Sequence, residues 1–466
     1  MTNDEKIYLV NGQSFFGTGG LPSEGIPRLQ FLDGGTGLNF EQFFGDLLSA
    51  DGKEGIGSPA LRDVLAHYYE PEKLTVDGAK ALYDWIIGKL RECIPDLTPP
   101  GCYPPGMMLG ATWNPEVVEE VGHALGEEAR AYGVHVLLGT PNVNIHRDPR
   151  NGRCFEGYSE DPYLVTQLAP ALVRGVEAEG VAANVKHFAA NNQETNRLGI
   201  NETIPERALH EIYYPGFKAC VEAGCATVMA AYNAINGVPC TENSALLTDM
   251  LRGEWGFDGL TMSDWGAVYH PAAALNAGTD LNMPGPVAPD ALTAALADGS
   301  LDAEKLTVSA ERMRTLAQKY GKAPTGKIDL ARTDKAAYDA AAEGIVMLEN
   351  EDGCCPLPLD AKIALFGAHC DEFLTCGEGS AHVNTTRNAS FLEELRARFI
   401  AVQCGEFDGA DTGIYVLSTR GMEGNDRKTI ALPDAELQAV SRFVDYADKR
   451  KMRKNPRAQY QRTGWG

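Results

Sequence analysis

The sequence predicts an α/β fold, a (β/α)8 TIM-type barrel followed by a partial α/β sandwich domain. Three observations lead there. Short apolar runs alternate with helical patterns from about residue 25 to 315. A polar stretch containing Pro and Gly interrupts the alternation at 316–335, and strand–helix patterning resumes beyond it. This places a barrel domain at 1–315, a linker at 316–335, a partial sandwich at 336–440 and a basic tail, expected to be disordered, at 441–466. A chain of 466 residues accommodates two domains on the usual scale of roughly 100–200 residues each.

The apolar runs expected as strands fall at 29–32, 107–110, 134–138, 182–185, 226–229 and 259–262. Between them, 115–132 places Val118, Val121, Leu125, Ala129 and Tyr132 on one helical face. Asn114-Pro115 supplies an N-cap with Pro at the first helical position, and Gly133 supplies the stop. Further helices are expected at 206–222 and 242–254. A doubly wound open sheet is the alternative, but it normally carries a glycine-rich phosphate loop after an early strand, and none is present. Beyond the linker, a helix at 336–348, a strand at 362–366, a helix at 390–399 and a strand at 414–418 are expected.

Composition narrows the function. Hydrophobic residues make up 44% and charged residues 23%, which suits globular domains with true cores. A formal net charge of −23 argues against nucleic acid and anionic membrane surfaces as partners. No run of 18 apolar residues occurs, so no membrane-spanning helix is expected. The eleven cysteines are odd in number, scattered and without a C-x-x-C pair, and the N-terminus carries no apolar signal core, so a reduced, cytoplasmic chain is expected. The tail runs against the overall charge: from Ser441 to Gly466, eight Lys/Arg face two Asp/Glu, a net +6.

Polar clusters end five of the apolar runs: Asp33 before Gly34-Gly35; Arg153 in Asn151-Gly152-Arg153-Cys154-Phe155-Glu156; Lys186-His187-Phe188, followed by Asn192-Gln193-Glu194; Tyr232-Asn233; and Asp264-Trp265. In a parallel barrel these ends converge on one rim, where active sites lie. Lys, Arg and Asp around an indole suit a polyhydroxylated ring, with hydroxyls bound by charged groups and C–H faces stacked on the aromatic. Plainer roles exist for each. Arg153 can pair Glu156 or Glu160, Lys186 a neighbouring carboxylate, and His187 can be a core histidine. No metal-ligand spacing such as H-E-x-x-H is present, so neither a metal nor a cofactor is implied.

Together these motifs resemble glycoside hydrolase family 3, in particular its β-glucosidase branch. The match rests on Leu32-Asp33-Gly34, the 152–162 segment, Lys186-His187-Phe188, Val228-Met229-Ala230-Ala231-Tyr232-Asn233 and Met262-Ser263-Asp264-Trp265-Gly266. The resemblance implies a retaining glycosidase acting on small β-glycosides or oligosaccharides. Asp264 would be the nucleophile; Asp33, Arg153, Lys186 and His187 would bind the sugar, Tyr232 would flank the nucleophile and Trp265 would wall the neighbouring subsite. The 420–428 segment matches the family's Gly-Glu-Gly-x-Asp-Arg, which implies Glu423 as acid/base. The N-acetylglucosaminidase branch carries a His in the loop after Lys-His-Phe, and Ala189-Ala190-Asn191-Asn192-Gln193-Glu194 has none. Two departures stand out: the chain is short between 399 and 414, and it diverges after 440. They leave open whether Glu423 is held over the pocket, with a weakly active sugar-binding chain as the rival reading. A β-xylosidase or arabinosidase specificity is the other alternative. A homo-oligomer is compatible with the sequence.

Overall fold

The computed structural model describes residues 1–50, 58–94, 97–286, 288–350, 353–372, 377, 379–419, 421–450 and 452. Five parallel strands form the first sheet: β1 (Phe31–Asp33), β2 (Val136–Asn142), β3 (Ala182–Phe188), β4 (Thr227–Ala230) and β5 (Leu260–Ser263). Sheet order equals chain order, so each crossover advances one place in the same direction and the sheet curls into a barrel wall. Every residue of these strands is buried, as parallel strands covered on both faces must be. Leu32, Leu137 and Val185 share one core cluster with Val118, Leu125, Leu168 and Leu172 of helices Pro115–Ala131 and Pro162–Ala178. Phe31, Val136, Met229 and Met262 belong to a second cluster with Leu306 and Met313 of helix Ala303–Tyr320.

The ring closes differently from the rest of the wall. Leu281 bridges Met262 and Asn282 bridges Asn11, both parallel; Gly12 and Gly17 then bridge Thr18 and Gln30 antiparallel, returning to the flank of β1. Single bridges replace full strands here. Pro284 and Pro286 contribute to this, because neither can donate an N–H to a ladder continuing past Met283.

Helix Pro115–Ala131 starts where the sequence predicts it, with the Asn114 side chain accepting from the N–H of Glu116 and Val117. Other elements differ. The 107–110 run is not a strand but part of helix Gly106–Thr112. Its two glycines lie so close to the carbonyls of Glu156 and Tyr158 that any Cβ would collide with them. The expected helix at 206–222 breaks before Pro215, where the Tyr214 N–H bonds five residues back to Leu209 O at 2.8 Å. The one expected at 242–254 is helical over Ala245–Glu254, as a π-helix. Helical order extends to Tyr320 and resumes at Leu330, leaving 321–329 as the irregular part of the 316–335 stretch.

The second unit has a three-stranded parallel sheet: β6 (Lys362–Phe366) lies between β7 (Ala401–Cys404) and β8 (Thr412–Tyr415). β7 was not legible in the sequence, and β8 starts two residues before the predicted strand. Helix Phe391–Arg398, opened by a Ser390–Glu393 capping box, packs Leu392 and Leu395 on Ile363 and Leu365. Helix Asp434–Lys449 packs Tyr446 and Ala447 with Ala364 and Phe366. The tail expected to be disordered from Ser441 is therefore helical as far as Lys449, because Tyr446 and Ala447 have an apolar sheet face to cover. Residues 453–466 lie outside the described part.

Candidate active site

All eight residues singled out in the sequence line one cavity of about 370 Å3 at the carboxyl ends of the barrel strands. Asp33 ends β1, Lys186 and His187 lie at the carboxyl end of β3, Tyr232 follows β4 and Asp264 follows β5. Arg153 comes from the loop after β2, and Glu423 from the second unit.

Lys186 and Asp33 form a buried pair, with Nζ donating to Oδ1 at 2.6 Å. Gly139, at φ +71°, makes room for the lysine: a Cβ there would lie 2.5 Å from Cε. The other Asp33 oxygen accepts from Gln42 Nε2 at 2.8 Å, so both oxygens have partners. Burial raises the Asp33 carboxyl above its ordinary range, against the pull of Lys186 and Gln42.

Arg153 makes the plain contact and the site contact together. Nε and Nη2 hold Glu156 in a fork at 2.8 Å each. Nη2 also donates to Ser380 Oγ at 3.1 Å, and Nη1 lies 3.5 Å from Glu423 Oε1. His187 Nδ1 lies 3.1 Å from Asn144 Oδ1, which can only accept, so Nδ1 carries the hydrogen. Nε2 then accepts from Arg153 Nη1 at 3.1 Å. Burial, followed by the charges of Arg153, Lys186 and Arg197, holds His187 well below its ordinary pKa, so the ring is neutral.

Asp264 is buried with one oxygen committed: Oδ1 accepts from Trp265 N at 2.7 Å. Oδ2 has no hydrogen-bond partner among the described residues. His187 Nε2 lies 3.6 Å away, but its lone pair already faces Arg153. Burial pushes the Asp264 carboxyl up to about 6, with Lys186 and Arg153 opposing and Glu423 adding to the rise. Tyr232 donates its hydroxyl to Trp265 O at 2.8 Å, fixing the turn that carries Asp264. The indole donates to Phe15 O at 2.7 Å and lies 5.2 Å from the Phe16 ring, so an aromatic wall flanks the carboxylate.

Glu423 accepts from Ser380 N at 2.7 Å and from Arg197 Nη1 at 2.8 Å. Burial alone would raise its pKa, but Arg153, Arg197 and Lys186 together hold it below the usual carboxylate range. Among the described residues no group of His, Cys, Asp and Glu is arranged to hold a metal.

Residues 96–316 match the Glycosyl hydrolase family 3 N terminal domain and residues 345–450 its C-terminal domain. The chain belongs to glycoside hydrolase family 3. It is 42% identical over 411 residues to an exo-alpha-(1->6)-L-arabinopyranosidase of Bifidobacterium longum, an overlap of 80% of this chain and 54% of that one. It is 37% identical over 408 residues to a beta-glucosidase of Rhizobium radiobacter, covering 85% and 44% respectively. The solved structure of beta-glucosidase 3B from Thermotoga neapolitana superposes with a TM-score of 0.81 at 31% identity, covering 97% of this chain and 66% of that one. The chain spans about half the length of the curated relatives it matches.

The family 3 cavity also contains residues that the sequence reading passed over: Arg197, Ser380, Gln42, Phe15 and Phe16. Arg197 stacks on the Tyr232 ring at 4.7 Å and binds Glu194 and Glu423 through one nitrogen. A faint signal existed, since Arg197 lies three residues beyond the noted Asn192-Gln193-Glu194 cluster. No helix of the described residues is long and apolar enough to cross a membrane.

Proposed function

We propose that this family 3 protein is a retaining glycosidase that removes a terminal sugar from small β-glycosides through a glycosyl-enzyme on Asp264. The observation that carries this reading is the unpartnered Asp264 Oδ2 in a cavity lined by Lys186, Arg153, Arg197 and an aromatic wall. In the first step Oδ2 attacks the anomeric carbon, the bond to the leaving oxygen breaks, and that oxygen takes a proton from Glu423. In the second, the Glu423 carboxylate accepts a proton from water, whose oxygen attacks the same carbon and releases Asp264. Asp33 and Lys186, fixed against each other, and Arg153, fixed by Glu156, are set to bind ring hydroxyls without reorganising.

A glucosyl unit is the first choice of sugar, and the Rhizobium radiobacter beta-glucosidase supports it. The higher identity to an arabinopyranosidase supports a second reading, an α-L-arabinopyranosyl unit. The two sugars present the leaving group on the same ring face, so the chemistry is shared. Initial rates on nitrophenyl β-D-glucoside, β-D-xyloside and α-L-arabinopyranoside decide among the specificities. An activated 2-deoxy-2-fluoro glycoside is expected to leave its sugar on the peptide holding Asp264, read by mass spectrometry. Asp264→Asn should abolish that adduct and lower kcat by roughly 10⁴-fold or more. A label on another carboxylate would overturn the assignment, and absence of both label and turnover would favour a sugar-binding chain.

A further inference from the structure

Glu423 belongs to a loop of the second unit but acts, on the reading above, over a cavity in the barrel. The loop's anchor to the barrel is Asp426, three residues on. Its Oδ1 accepts the N–H of Gly152 and of Glu194, each at 3.1 Å; its Oδ2 accepts Glu194 N at 3.1 Å and Thr195 N at 2.9 Å. These donors lie on the two barrel loops that also supply Arg153 and Arg197. The neighbours add to the seam: Gly424 N donates to Glu194 Oε2 at 2.7 Å, and Arg427 N to Arg150 O at 2.8 Å. Contact is so close at Gly152 that any Cβ would collide with the carbonyls of Met422 and Asn425.

We infer that Asp426 is a positioning residue: by capping backbone donors on both barrel loops it registers the 421–428 loop so that Glu423 faces the Asp264 cavity. This rests on the reading of Glu423 as acid/base. The geometry favours it because a carboxylate accepting several backbone N–H groups fixes both distance and orientation. An error of about 1 Å in a proton donor costs on the order of a hundredfold in rate. None of these contacts involves the sheet of the second unit. Ser380 of that unit also donates its N–H to Glu423, and Ser380 is itself held by Arg153 and Asn39 of the barrel, so the loop takes its register largely from the barrel.

The test compares Asp426→Ala, Asp426→Asn and Glu423→Gln on aryl glycosides of the sugar turned over fastest, with good and poor leaving groups. A misplaced proton donor should matter most where the leaving group needs protonation. Asp426→Ala is therefore expected to lose roughly tenfold to a hundredfold in kcat/KM on phenyl glycosides and much less on dinitrophenyl glycosides. On dinitrophenyl glycosides, where deglycosylation limits, azide needs no general base and should raise kcat in Asp426→Ala, giving the glycosyl azide of retained configuration. Asp426→Asn, keeping one acceptor, should fall between. Equal loss on both leaving groups, or none, overturns the inference. If Glu423→Gln itself shows no leaving-group dependence, the acid/base assignment fails. If Glu423→Gln shows it and Asp426→Ala does not, only the clamp fails. Hydrogen exchange reads the clamp without turnover: Gly152, Glu194 and Thr195 amides should lose protection in Asp426→Ala, and unchanged protection overturns the inference.

Discussion

Asp264 and Glu423 line the same cavity, yet their surroundings pull their protons in opposite directions. Burial pushes Asp264 up to about 6, while Arg153, Arg197 and Lys186 outweigh burial at Glu423 and lower it. The last proton of the pair therefore sits mainly on Asp264, whereas the proposed first step needs it on Glu423. On that scheme the productive form is the minor arrangement of the singly protonated pair, with the proton on Glu423. Since kcat/KM reports the free enzyme, it should fall as pH rises through about 6, when the pair loses that last proton. A kcat/KM profile flat across neutral pH would contradict the scheme. Residues such as Asp33, Lys186 and Asp264 were legible in the sequence because each ends an apolar run, and parallel strands deliver such ends to one rim. Gln42 and Ser380 were not. They reach the cavity through tertiary contacts, from a helix and from the second unit, with no strand end of the barrel to mark them.

At the scale of elements, the strand that presents Asp264 is held by a buried carboxylate on the far side of the barrel wall. Asp280 is fully buried; it accepts from Arg252 Nη2 at 2.5 Å, Arg312 Nη1 at 2.9 Å, Ser309 Oγ at 2.8 Å and Thr261 N at 3.0 Å. It thus ties β5 to helix Ala303–Tyr320 and to the π-helix Ala245–Glu254. Removing one partner from a buried charge network leaves the others uncompensated, at a cost of about 3–5 kcal/mol. Arg312 retains some solvent access, so Asp280→Ala is expected at the lower end, about 3 kcal/mol, with Asp280→Asn milder. Urea midpoints at constant m check this; a shift corresponding to less than about 1 kcal/mol would show the network to be dispensable. Elements were legible where periodicity or capping spoke clearly, as at Asn114-Pro115. The 107–110 run was misread because three apolar residues and a glycine fit a strand or one turn of helix equally well. The bridges at Gly12, Gly17 and Asn282 that close the barrel carry no periodic pattern at all.

At the scale of the whole molecule, the two units are joined by the packing of Ala336 and Ala340 into the barrel core and by polar contacts of two loops of the second unit. One is the Asp426 seam. The other centres on Arg387, which donates to Glu128 Oε1 at 2.7 Å, Thr333 Oγ1 at 2.6 Å and Asp334 Oδ1 at 2.6 Å, while Glu128 also accepts from Gly101 N and Tyr103 OH. The apolar surface of the second unit is less well served. Ile345, Val346, Met347 and Leu348 follow one another with exposures of 68%, 58%, 63% and 93%. A run of four exposed apolar residues, of which Ile345 and Val346 are β-branched, is a contiguous apolar surface that favours association between chains. The net charge of −23 opposes association at low ionic strength, and salt screens that repulsion while strengthening apolar contact. Self-association is therefore expected to rise with salt. Val346→Lys with Leu348→Glu should suppress it without altering turnover, because neither side chain lines the cavity. Light scattering across a salt series checks this. Association that falls with salt, or that persists unchanged in the double variant, would place the adhesive surface elsewhere.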